Sequence, residues 1–170
     1  MLTTQIATAA AVIAWVIVEW LINGKPTAVG AATGAVAGLV AITPASGSTD
    51  VMGALIIGLA SGAICYVCAT SIKRKFGYDD SLDVFGVHGI GGIVGAILTG
   101  VFIREGYDGP AGGVAQAIVQ TKAVLFTIVW SGVAATAALF VAKLTVGLRV
   151  SDNEEDNGLD QGSHGESAYS

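Results

Sequence analysis

The sequence predicts an all-α, polytopic membrane helix bundle with five transmembrane helices. Three observations carry that prediction. Of the 170 residues, 53% are hydrophobic and only 12% are charged, about half the charged share of an ordinary soluble domain. The charges leave five apolar windows near the length an α-helix needs to cross a hydrocarbon core of roughly 30 Å. Glycine, at 24 residues, recurs in those windows at four-residue steps, a spacing that lets helices approach closely in lipid.

The windows are residues 2–22, 27–42, 51–72, 84–103 and 123–146, which make 1–146 a transmembrane domain ahead of a tail over 147–170. The first lacks the basic leader and small-residue cleavage site of a signal peptide, and Trp15 and Trp20 suit a membrane interface. It carries Glu19, near enough to its end to reach that interface. The second is short and stops at Thr43-Pro44, where proline and the following A-S-G-S-T-D end a helix. The third holds C-Y-V-C. Cys65 and Cys68 stand three residues apart with no further ligand nearby, so they read as small packing residues and not as a redox or metal pair. The fourth is entered through Y-D-D-S-L-D. Asp79, Asp80 and Ser81 are its expected N-terminal residues, because carboxylates there complement the helix dipole.

Orientation follows from lysine and arginine. Taking the five spans in order, Lys25, Lys73, Arg74, Lys75, Lys143 and Arg149 fall on one side, Arg104 and Lys122 on the other. The positive-inside rule then places the C-terminus in the cytoplasm and the N-terminus outside. The formal net charge of −5 arises largely in the tail, S-D-N-E-E-D-N-G-L-D-Q-G-S-H-G-E. Its composition is that of a solvated acidic end.

Gly30, Gly34 and Gly38 mark one face of the second span, Gly58 and Gly62 one of the third, Gly91 and Gly95 one of the fourth. Gly92, Ala96 and Gly100 add a further row. Such faces imply a compact bundle. On the fourth span Val84, His88, Gly92, Gly95 and Thr99 fall near one face at helical spacing. His88 sits in D-V-F-G-V-H-G-I-G-G, with Asp83 five residues before it. An ionisable group inside a spanning helix is costly and tends to face a pathway or a polar partner. A neutral imidazole has one donor and one acceptor, which suits a small polar solute. A structural histidine bonded to a neighbouring carbonyl is the competing reading, and the residues alone leave both open.

No other chemistry is indicated. G-I-G-G follows no strand and no G-K-[ST] occurs, so nucleotide-binding motifs are absent. His164 has no second ligand at metal spacing. No catalytic residue, cofactor, metal site or nucleic-acid partner is expected, and the chain does not read as an enzyme.

D-D-S-L-D-V-F-G-V-H-G-I-G-G-I-V-G-A-I-L-T-G-V-F closely resembles the signature of ammonium transporters of the Amt/Mep/Rh superfamily. V-E-W-L-I-N-G-K-P-T, T-G-A-V-A-G-L-V-A-I-T-P-A-S-G, G-A-L-I-I-G, I-V-W-S-G-V and L-T-V-G-L-R-V…G-L-D…S-H-G-E-S-A-Y are similar to its Amt branch in family order, across nearly the whole chain. The resemblance implies an eleven-helix fold, a homotrimer in the full-length form with a pore in each subunit, and inverted repeats of five helices. The five windows look like the last five. It further implies ammonium as substrate, recruited at an outer vestibule, with ammonia crossing a narrow apolar pore past two facing histidines in the plasma or inner membrane.

By the same resemblance His88 matches the second histidine and Thr43 a threonine beside the pore. Val84 matches an apolar residue at the inner end of the conduit, and Asp83 an acidic residue that helps hold the inner mouth. Gly147, Arg149 and Gly158 match a cytoplasmic region that couples subunits and works with PII-type signal proteins. The partner histidine, the phenylalanine gates and the outer tryptophan and serine cation site belong to helices outside this sequence. A fragment of a longer product, a truncated relic and half of a split transporter are the three readings of that difference. Two functions follow: the C-terminal portion of an ammonium transporter, or a non-conducting regulatory or sensor module that binds a PII-type protein through its tail.

Overall fold

The computed structural model describes residues 1–106 and 110–167. The regular elements among them are helical: α1 (Leu2–Asn23), α2 (Ala28–Ile42), α3 (Val51–Phe76), α4 (Val84–Phe102), α5 (Val114–Thr145) and α6 (Asp152–Asn157). An isolated antiparallel bridge joins Thr49 and Ile103. The chain divides into two compact units, Met1–Leu125 and Phe126–Ser170.

α1, α3, α4 and α5 are each long and apolar enough to cross a bilayer. α2, with 15 residues, rises only about 22 Å at 1.5 Å per residue, short of the roughly 30 Å core. α5 begins at Val114 and not at residue 123. Gln116, Gln120 and Lys122 are good helix formers, so the helix continues past the point where hydropathy stops.

Within the first unit α1 packs against both α2 and α3, and α4 packs against α2 and α3. The glycine rows are the seams. A Cβ built on Gly38 would stand 2.7 Å from both the Ala11 Cβ and the Ala7 carbonyl oxygen. Gly58 and Gly62 bring α3 onto the α1 backbone at Ala7 and Ala11, and Gly95 brings α4 onto α2 at Ala41. The second row on α4 splits. Gly100 seats against Ala117 of α5, whereas among the described residues nothing lies within 4 Å of a Cβ on Gly92. Two apolar clusters result, one around Ala7, Ala41, Ile42 and Ile57, the other around Trp15, Ala37, Cys65, Tyr66, Ala69 and Val87. Trp15 and Tyr66 meet edge to face at 5.4 Å.

Glu19 does not reach outward. It is 6% exposed, and its carboxylate accepts from the Thr27 backbone N–H at 3.2 Å and the Thr27 hydroxyl at 2.9 Å. The unpaired N–H groups at the start of α2 give a buried carboxylate better partners than an apolar helix face would. At the other end of the unit Asp50 caps α3 by accepting from the Gly53 N–H at 2.8 Å, and it forms an ion pair with Arg104. The Thr49 hydroxyl donates to the Phe102 carbonyl at 3.1 Å.

The second unit holds the C-terminal part of α5 and the tail. Phe126, Trp130 and Phe140 are 62–70% exposed. α5 is followed by Gly147 at φ 83°, in the left-handed region that glycine favours. Ser151 and Glu154 form a capping box at the start of α6. A π turn spans Asp160–His164.

Candidate functional site

The segment around His88 is built from three anchors. The Asp80 carboxylate accepts from the Val84 and Phe85 backbone N–H groups at 2.7 and 2.9 Å, so of the expected N-terminal residues Asp80 does the capping. Lys73, in the last turn of α3, donates to the Asp80 carbonyl and to the Asp83 carboxylate, both at 2.6 Å. Asp83 itself sits at φ 53° and ψ 33°, a left-handed conformation that aspartate tolerates better than most residues.

The third anchor is close packing. α4 opens with a π turn over Val84–Gly89, and α3 carries another over Cys68–Ile72. They meet where a Cβ on Gly86 would stand 2.7 Å from the Ala69 Cα. Val87 is 2% exposed and packs in the cluster of Trp15, Ala37, Cys65, Tyr66 and Ala69. The Cys65 thiol lies 3.9 Å from the Val87 carbonyl oxygen, and both cysteines are buried free thiols. With Val87 turned into the unit, its neighbour His88 turns outward.

The face expected to unite Val84, His88, Gly92, Gly95 and Thr99 therefore divides. Gly95 and Thr99 are buried against the unit, whereas Val84 and His88 are exposed and Gly92 has open space beside it. The division falls in the regular helix that follows the π turn: three residues on, Gly95 stands about 60° around the axis from Gly92, on the side that meets Ala41 of α2.

His88 lines a cleft of about 330 Å³ with Val29, Ala32, Thr33 and Val36 of α2, and with Leu82 and Val87. Apart from the imidazole, Thr33 supplies the one polar side chain of that lining. Its hydroxyl donates to the Val29 carbonyl at 2.9 Å, which leaves oxygen lone pairs as acceptors. Sequence reasoning missed Thr33. The signal was a polar residue one step before Gly34 on the glycine-marked second window.

The other residues singled out lie elsewhere. Thr43 is exposed at the C-terminal end of α2 and donates to the Leu39 carbonyl at 2.7 Å. It is seven residues beyond Val36, about 10 Å along the axis. Val84 begins the π turn, 53% exposed. Asp83 faces Lys73, with the two side chains 30% and 27% exposed. In the second unit one guanidinium nitrogen of Arg149, Nη2, donates to both carboxylate oxygens of Glu155 at 2.6 and 2.7 Å. Gly158 terminates α6 at φ 85°. Hydrogen bonds from the Ser151 hydroxyl and backbone N–H hold the Glu154 carboxyl below its usual range. Residues 168–170 at the end of the tail motif lie outside the described residues.

A sequence model of the Ammonium Transporter Family matches residues 1–169. The chain belongs to the ammonium transporter family. It is 47% identical to an ammonium transporter of Aquifex aeolicus (strain VF5), an alignment covering 99% of this chain and 41% of that protein. It is 45% identical to one of Bacillus subtilis (strain 168), over 99% of this chain and 43% of that protein. The chain thus spans about two fifths of the length of these relatives. Among solved structures, Saccharomyces cerevisiae Mep2 matches with a TM-score of 0.82 at 28% identity, over 89% of this chain and 37% of that one. A structure titled Sensor Amt Protein matches with a TM-score of 0.86 at 27% identity, over 95% of this chain and 40% of that one. The fold is accordingly a multi-pass membrane helix bundle.

Proposed function

We propose that this chain supplies one wall of an ammonium-conducting path and that His88 is the polar contact on that wall. The observation that carries the reading is the cleft beside His88, apolar except for the imidazole and the Thr33 hydroxyl. A small solute that both donates and accepts hydrogen bonds finds both functions there. Hydrated metal ions find too few ligands to replace their water. Asp83, held by Lys73, braces the start of the His88 helix, and Val84 follows it at the inner end. Thr43 belongs to the far stretch of the same path. In this reading α2 completes five spans despite its length, the C-terminus is cytoplasmic in a plasma or inner membrane, and the full-length form is a homotrimer.

A second reading treats the chain as a non-conducting module whose tail, through Gly147, Arg149 and Gly158, engages a PII-type signal protein. Its support is the ordered, capped tail helix with the Arg149–Glu155 pair and the likeness to the sensor Amt structure.

One experiment separates them. The chain is grafted in place of the matching 43% of the Bacillus subtilis relative, and internal alkalinisation of proteoliposomes is followed after an ammonium pulse. The conducting reading expects flux above empty vesicles, with rate or selectivity altered by His88→Ala. Flux unchanged by His88→Ala would remove the histidine from the path. A folded graft with no flux that still binds a PII-type protein through its tail would favour the module.

A further inference from the structure

α2 forms the wall opposite His88, and its placement depends on a residue outside the cleft. Glu19 is an acidic residue in an otherwise apolar stretch of α1 and is 6% exposed. Its Oε1 accepts from the Thr27 hydroxyl at 2.9 Å and its Oε2 from the Thr27 backbone N–H at 3.2 Å. The same Thr27 hydroxyl oxygen accepts from the Gly30 N–H at 2.9 Å, as the N-cap of α2. The three groups form a relay from a buried carboxylate through a hydroxyl to the first free N–H groups of a helix.

Gly30 completes the device. A Cβ at that position would overlap Glu19 Oε2 and stand 2.8 Å from Thr27 Oγ1. The start of α2 is thus seated directly on the carboxylate. A buried carboxyl group that leaves these bonds finds no water to replace them. Glu19 sets α2 in height and rotation relative to α1, and α2 then presents Val29, Thr33 and Val36 to the cleft within about three turns of the cap.

We infer that Glu19 is a positioning residue for the proposed conduit, acting through Thr27 and Gly30 to hold the α2 wall at a set distance from the His88 helix. The geometric part stands on the structure alone. Its consequence for conduction rests on the proposed function.

The test measures the wall directly. Spin labels are placed at Val29→Cys and Leu82→Cys, both strongly exposed and on opposite sides of the cleft. Cys65 and Cys68 are replaced by alanine, and distances are read by pulsed electron resonance on the 170-residue chain in bilayers. Glu19→Ala is expected to move the mean distance by about 2 Å or more, on the order of one residue's rise along a helix, and to broaden it. Glu19→Gln, which keeps an acceptor for Thr27, is expected to restore most of the parent distribution. Because Glu19→Ala could compromise folding, Thr27→Val and Gly30→Ala are measured alongside. Each should shift the distance in a folded chain, and Thr27→Val combined with Glu19→Ala should add little to either alone. Unchanged distances in Thr27→Val and Gly30→Ala, or fully additive effects, would overturn the inference. The two readings fail separately. A shifted distance in a chain whose unmutated graft carries no ammonium leaves the positioning role standing and removes the conduit. A conducting graft whose cleft is indifferent to Glu19→Ala removes only the positioning role.

Discussion

The glycine seams make a quantitative prediction with an internal control. At Gly38 an added methyl would meet the Ala11 Cβ at 2.7 Å, the Ala7 carbonyl oxygen at 2.7 Å and the Thr8 Cα at 2.8 Å. Two of those three atoms are backbone of α1 and cannot rotate away. Ordinary carbon contacts lie near 3.5–4.0 Å, so α1 and α2 must separate by on the order of 1 Å. That separation loosens the contacts along the seam, and overpacking of this kind costs roughly 1–3 kcal/mol. Glycine-to-alanine also gains helix propensity of about 1 kcal/mol in a soluble host, which partly masks the clash. Gly92→Ala corrects for that gain, because among the described residues nothing lies within 4 Å of the new methyl. The difference between the two variants isolates the clash and is expected at about 1–3 kcal/mol, with Gly38→Ala the less stable. Reversible unfolding in mixed micelles, followed by circular dichroism with added denaturing detergent, reads the difference. Equal stability of the two variants would refute the close-packing account of the seam.

Further outcomes follow from the polar anchors. Asp80→Ala removes the acceptor of two N–H groups at the head of α4 and should cost about 1–2 kcal/mol. Lys73→Met breaks a solvent-screened pair whose members are 27% and 30% exposed and should cost less than Asp80→Ala; the reverse ranking in the same unfolding assay would contradict the capping assignment. Asp50 has its carboxyl lowered, first by the Gly53 N–H and further by Arg104. A native value below the unfolded one means that its contribution is present above the ordinary carboxylate range and is lost as pH falls through the lowered value. Carbon-detected titration should therefore find Asp50 and Glu154 each protonating below its ordinary carboxylate range, and ordinary values at both would contradict their hydrogen bonding. Ser151→Ala removes one half of the capping box on α6 and should weaken that helix by about 1 kcal/mol, visible as reduced helical carbon shifts over Asp152–Asn157.

Much of the architecture was legible in the sequence because it depends on composition and local spacing. Charge depletion and window length mark the spans. Four-residue glycine steps mark the seams, since in lipid only small residues let backbones meet. D-V-F-G-V-H-G-I-G-G and its flanking motifs pointed to the family that the comparison identifies. Other features were set by partners distant in sequence. Glu19 turns inward because Thr27 and the open end of α2 await it there. His88 faces a cleft with Thr33 because Gly86 and Val87 seat the start of α4 on α3. Hydropathy and periodicity report what a helix needs from its solvent. Which side chain meets which depends on how the backbones approach, and that was decided only when the bundle closed.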